Sequence, residues 1–168
     1  MAQTSRQPVA SLSSHVMAEI NEALKRYPED QKRSAVQSAL HAVQHDNGGY
    51  LTVPLMDAVA EVLGMAPIEV YEVASFYSML ETEPVGRHSV SVCTNISCML
   101  RGADDILAHV EQRLGIKRGE STADGKVYLK CEEECLAACA GAPMMMVNHV
   151  YHENLTPEKA DEILDGLE

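Results

Sequence analysis

The chain has no tryptophan and a single phenylalanine, and aromatic residues make up only 4% of it. Leu, Val, Met and Ala must therefore fill its core. An apolar fraction of 46% over 168 residues supplies enough of them for one medium domain or two small ones. No apolar run approaches the ~20 residues that a bilayer-spanning helix needs. Positive charge is scarce. With 13 Lys and Arg against 25 Asp and Glu, the net charge is −12, and such a surface repels phosphate backbones and argues against nucleic-acid binding. Gly-x-Gly-x-x-Gly and the phosphate loop are both absent, so no nucleotide site is expected on this chain. Cys-x-x-Cys is absent too, which excludes a thioredoxin-type redox dithiol. Met1–Ser14 carries one basic residue and no apolar block, so it is not a secretory signal; residues 1–13 read as a disordered tail.

What is present is a concentration of cysteine. All five lie between Cys93 and Cys139, as Cys93-Thr-Asn-Ile-Ser-Cys98 and Cys131-Glu-Glu-Glu-Cys135-Leu-Ala-Ala-Cys139. Without export, cysteines argue for metal or cluster ligation rather than disulfides, and an odd number forbids complete internal pairing. Two pairs that reach one centre suit four thiolates. The Cys-x4-Cys pair at 93/98 fits a zinc knuckle, whereas Cys-x3-Cys at 135/139 is less usual there. Four thiolates equally satisfy a 2Fe–2S cluster, and spacing alone leaves both open.

The chain changes character near residue 84. Before it, apolar stripes divided by Pro and Gly predict four short helices. Val16, Ile20 and Leu24 mark the first. Val36, Leu40 and Val43 mark a second, beginning at Pro28–Glu29 and stopped by Asp46-Asn47-Gly48-Gly49. A third runs from Pro54 to a Gly64 cap, and a fourth runs from Pro67 through Val70, Ala74 and Tyr77. Such stripes bury only against one another or against a partner. Glu83-Pro84-Val85-Gly86 reads as a linker. Beyond it, His88–Cys93 alternates as a strand, Leu100–Leu114 reads as a helix, and Lys126–Lys130 as a strand. Met144–Val147 and Val150–His152 form a hairpin around Asn148-His149, and Thr156-Pro157 starts a last helix that faces Ile163, Leu164 and Leu167 inward. This order of strands and helices predicts a small mixed sheet covered by two helices, in the thioredoxin manner. The expected fold is α+β, with a helical bundle over 14–82 followed by a thioredoxin-like α/β domain over 83–168.

Val92-Cys-Thr-Asn-Ile-Ser-Cys-Met-Leu-Arg-Gly102, together with Cys135-Leu-Ala-Ala-Cys-Ala-Gly-Ala-Pro143, resembles the thioredoxin-like 2Fe–2S subunits of respiratory complex I. The likeness extends through Val70–Tyr77, Pro84–Arg87, Val147-Asn148 and Leu155–Glu158. It implies one 2Fe–2S cluster held by Cys93, Cys98, Cys135 and Cys139, with no catalytic residues on this chain. It also implies an electron-transfer role in NADH:quinone oxidoreductase, beside a subunit that binds FMN and NADH, with other peripheral-arm subunits as further partners. The helical half would dock on the flavin subunit. A bacterial location follows, cytoplasmic and peripheral to the inner membrane, ahead of the mitochondrial matrix. Relatives in NAD-linked formate dehydrogenases and bidirectional hydrogenases are the alternative, and a structural zinc interaction module is a more distant one. Self-association of the isolated chain is left open. Ala137 stands where the family commonly has Gly. Cys131 lies outside the family's ligand set, and Cys131-x3-Cys135 repeats the spacing of the next pair; it reads as a strand-end thiol, because Ala140-Gly-Ala-Pro143 aligns only when 135/139 ligate.

Other residues carry less. Glu132, Glu133 and Glu134 adjoin a ligand and would favour the oxidised cluster, or else form a solvated turn. His41 and His45 have helical metal spacing but lack the Glu of a metalloprotease motif. His149 and His152 bracket a turn and superficially suit Rieske-type ligation, but four thiolates already fill the site. Met144–Met146 reads as a buried strand of pliable side chains.

Overall fold

The structure, a computed structural model, describes residues 10–131 and 135–168. The chain divides into two compact units between Pro84 and Val85.

The first unit is helical: α1 (Ser14–Leu24), α2 (Val36–Asp46), α3 (Val53–Leu63) and α4 (Pro67–Phe76). Each start has a local cause. The Ser13 hydroxyl accepts the Val16 N–H at 3.2 Å, and Pro occupies the first turn of α3 and α4, where its missing N–H costs nothing. The Glu69 carboxylate accepts the Ala66 N–H at 2.9 Å at the head of α4. The second helix differs from expectation. Glu29–Ala35 is a 3-10 segment with Gln31 at φ −117°, and α geometry begins only at Val36. Glu29-Asp-Gln-Lys-Arg-Ser34 offers no apolar side chain for a core to hold, so nothing fixes the regular helix until Ala35 and Val36. Val16, Ile20, Leu40, Val43, Val59, Leu63 and Val70 close the core. The buried Gln44 amide is used at both ends: it donates to the Met79 carbonyl at 3.0 Å and accepts the Glu81 N–H at 2.7 Å, which pins the segment after α4.

The second unit is a five-stranded mixed sheet. Its elements are β1 (His88–Val92), α5 (Ile96–Met99), α6 (Ala103–Leu114), β2 (Glu120–Ser121), β3 (Val127–Leu129), β4 (Met145–Val147), β5 (Val150–His152) and α7 (Pro157–Asp165). The strand order is β2-β3-β1-β4-β5. β1 runs parallel to β3 and antiparallel to β4, with Val92 opposite Met145. The hairpin turn places Asn148 and His149 both at positive φ, the backbone of a primed two-residue turn. Val90, Val92, Leu129, Met145 and Val147 pack with Ile106, Leu107 and Val110 of α6 and with Ala160 and Leu164 of α7. The Thr156 hydroxyl caps α7 by accepting the Lys159 N–H at 3.3 Å.

The expected helix over 100–114 begins only at Ala103, and a short helix that the sequence did not signal, α5, precedes it. Gly102 separates the two at φ 87°, a left-handed conformation that only glycine adopts without cost. The break lets the short α5 bury Cys98 while α6 turns its own stripe onto the sheet. Nothing in the sequence marks the two-residue edge strand β2, because Glu120-Ser121 has no apolar signal; both residues are exposed and only backbone pairing to β3 defines them.

Candidate metal centre

Strand β1 delivers Cys93. The ladder to β4 continues one residue past the strand, with the Cys93 N–H donating to the Met144 carbonyl at 3.1 Å. Asn95 then turns the chain, its side-chain oxygen accepting the Ile96 N–H at 2.8 Å, and α5 carries Cys98 back toward Cys93. Both thiols are 1% exposed. The second pair comes from the segment before β4. Cys135 and Cys139 are exposed, with their sulfurs 3.4 Å apart. That is no disulfide, whose bond is about 2.05 Å. It is close to the roughly 3.8 Å between two thiolates that each lie ~2.3 Å from one tetrahedral ion.

An apolar cluster joins the two segments. Leu136, from between Cys135 and Cys139, packs with Cys93, Cys98, Ala103, Ala142 and Met144. The cluster holds the buried pair, and Leu136 brings to it the segment that carries the exposed pair. Cys131 is exposed as well. Among the described residues, no group of three or more His, Cys, Asp or Glu side chains is arranged about one ion. Two pairs are what a 2Fe–2S cluster asks for, since each of its irons takes two protein ligands.

Electrostatics separates the individual thiols. Burial, reinforced by the adjacent Cys93 thiol, pushes Cys98 up to about 11. Cys135 is lowered, chiefly because the Ala137 N–H donates to its sulfur at 3.4 Å. Cys139 is raised, first by the shared hydrogen bond with Cys135, while the nearby Ser97 hydroxyl opposes the shift. Ligation removes the proton from every one of these thiols.

The Ala137 donor depends on an unusual backbone. Ala137 sits at φ 65°, a region that costs an L-residue roughly 1–2 kcal/mol. The glycine common to the resembled family at this position was the sequence signal for that conformation. Leu136, which ties the segments together, carried no signal in the sequence. Met144 is fully buried beside the cysteines and Met145 beneath the sheet, whereas Met146 is half-buried. His41 and His45 lie on α2, and His149 and His152 around the β4–β5 turn. The three carboxylates Glu132–Glu134 lie outside the described residues.

Fold and cysteines together define a class: a thioredoxin-like sheet that presents two thiol pairs at one end of its central strand. A sequence model of the thioredoxin-like [2Fe-2S] ferredoxin family matches residues 20–168, and the chain belongs to that family. It is 46% identical over 144 residues to the E subunit of NADH-quinone oxidoreductase from Rickettsia bellii, covering 86% of each chain. Against the corresponding NADH-quinone oxidoreductase subunit of Rhizobium meliloti the identity is 44% over 149 residues, covering 89% of this chain and 86% of that one. A mitochondrial relative, NADH dehydrogenase [ubiquinone] flavoprotein 2 of Dictyostelium discoideum, is 40% identical over 90% of this chain and 61% of its own length. Among solved structures, a chain of an NAD+-reducing [NiFe]-hydrogenase superposes with a TM-score of 0.66 at 19% identity. This covers 79% of the present chain and 22% of the hydrogenase chain; the likeness is one of fold.

Proposed function

We propose that this chain is an electron-transfer subunit of an NADH:quinone oxidoreductase and carries one 2Fe–2S cluster on Cys93, Cys98, Cys135 and Cys139. The observation that carries the reading is the approach of two thiol pairs from segments far apart in sequence: buried Cys93 and Cys98 pack with Leu136 and Met144, and Leu136 lies in the segment whose Cys135 and Cys139 sulfurs are 3.4 Å apart. When bound, the cluster supplies one-electron chemistry. The chain's own residues do the rest. Cys93 and Cys98 would hold the cluster from a buried position, and Cys135 and Cys139 would hold it from the surface side. Leu136, Ala142 and Met144 exclude water from the inner pair, and the Ala137 N–H donates to Cys135. A flavin and NADH would belong to a partner subunit, which the relatives' names support. The helical unit would dock on it: α4 leaves Ile68 61% and Phe76 80% exposed, apolar side chains available to a partner surface. Among the described residues no helix is long and apolar enough to cross a membrane, which fits a peripheral position in such a complex, on the cytoplasmic side.

Anaerobically purified protein should be reddish-brown and, after dithionite, give an EPR signal of one spin per chain. Changing Cys135 and Cys139 together to alanine should abolish both. A colourless protein containing zinc and no iron would overturn the reading. Co-purification from the native host distinguishes the complex: a flavin- and NADH-binding partner supports a respiratory assignment, and a formate- or hydrogen-oxidising partner replaces it.

A further inference from the structure

The turn that carries Cys139 is packed under a carboxylate from another part of the chain. Cys139–Gly141 is a 3-10 turn, and the segment after β5 lies across it. The Asn154 N–H donates to the Gly141 carbonyl at 2.6 Å, and the Leu155 N–H to the Pro143 carbonyl at 2.9 Å. Asn154 takes φ 51° to make that approach, a conformation asparagine tolerates better than most residues. The Glu153 side chain is thereby laid directly on Gly141. A Cβ built on Gly141 would sit 2.5 Å from both Glu153 Cβ and Glu153 Oε2, so this contact requires glycine at 141. Two residues of chain span at most about 7 Å, which places the Glu153 carboxyl group within roughly a Debye length of the Cys139 backbone. The Lys159 ammonium, the cation beside it, donates to the Glu153 main-chain carbonyl rather than to the carboxylate.

We infer that Glu153 is a negative charge laid over the turn that carries Cys139, which lowers the cluster's electron affinity through space. The inference rests on the proposed ligation by Cys93, Cys98, Cys135 and Cys139. Reduction adds one electron to a centre already carrying thiolate and sulfide charge, so a carboxylate held nearby opposes it. The effect is a matter of charge rather than shape, and being exposed, it is screened by salt.

The test is a redox titration, followed by EPR, of the full chain and two variants at low and high ionic strength. Glu153→Gln keeps the shape and removes the charge. Its one-electron reduction equilibrium should be about fivefold more favourable, a midpoint about 40 mV more positive at 59 mV per tenfold, and the difference should shrink in ~1 M salt, where the Debye length is about 3 Å. Glu153→Asp keeps the charge and should stay near the wild-type potential. An unshifted Glu153→Gln midpoint at low salt overturns the inference. So does an equal shift in both variants, a shift indifferent to salt, or a Gln variant that loses its cluster, because the side chain would then serve packing on Gly141 alone. A wild-type chain without any cluster fails the ligation itself, which separates that failure from this one.

Discussion

At the scale of single residues, the site is set by what backbone amides and burial do to individual thiols. Ala137 is held at φ 65° to aim its N–H at Cys135, and a methyl group gains nothing there. Ala137→Gly should raise stability by on the order of 1 kcal/mol, since glycine adopts this conformation freely and its larger unfolded-state entropy offsets only part of the gain. Urea unfolding of the two proteins under identical conditions measures this, and an unchanged or lowered midpoint contradicts it. The thiols differ just as sharply. Cys98 is buried and pushed up to about 11, while Cys135 is exposed and lowered by the Ala137 amide. The thiolate is the reactive species, and its greater abundance outweighs its reduced intrinsic nucleophilicity. In chain stripped of iron at pH 7, iodoacetamide should therefore modify Cys135 at least about tenfold faster than Cys98. Peptide mass spectrometry against time reads the ratio, and comparable rates at the two positions would show that the buried pair opens freely.

At the scale of elements, charge at a helix end supplies a pH-dependent contribution. Near the end of α6, Glu111 accepts the Lys117 ammonium at 2.7 Å and the Arg118 N–H at 3.3 Å, and the Lys117 hydrogen bond is the main cause of its lowered pKa. A carboxylate lowered in the folded state stabilises above its unfolded value of 4.5, and that contribution disappears as pH falls through the folded value. Glu111→Gln should thus cost under about 1 kcal/mol at neutral pH and nothing in acid well below 4.5. Denaturation series at the two pH values test the sign, and a penalty that grows in acid refutes it. Elements with an apolar stripe or a capping residue were legible in the sequence: Val16 and Ile20 in α1, Pro67 at the head of α4, Thr156 ahead of α7, and the Asn148-His149 turn. Those that tertiary context decides were not. The 3-10 segment before α2 has no apolar residue ahead of Ala35 to declare it, the four-residue α5 before Gly102 is too short for periodicity to show, and β2 exists only because β3 lies beside it.

At the scale of the molecule, the change of character near residue 84 was visible because periodicity switches from helical to alternating there, and the cysteine positions were visible because cysteine is rare elsewhere. How the two cysteine segments meet was not visible, since Leu136 is an ordinary leucine until the fold sets it against Cys93 and Cys98. The same division yields a test of independence. The helical unit closes on Ile20, Leu40, Val59 and Val70, and the sheet unit closes on clusters that share none of these residues. Leu40 is fully buried, so Leu40→Ala should destabilise the helical unit by roughly 2–5 kcal/mol. The cysteine cluster has no part in that core, so the visible absorption of the loaded protein should survive the substitution. Under thermal unfolding the variant should lose far-ultraviolet helix signal at lower temperature than wild type, while the visible transition stays in place. If colour and helicity fall together in the variant, the two cores are energetically one, and the sheet unit depends on the helices for more than its connection to them.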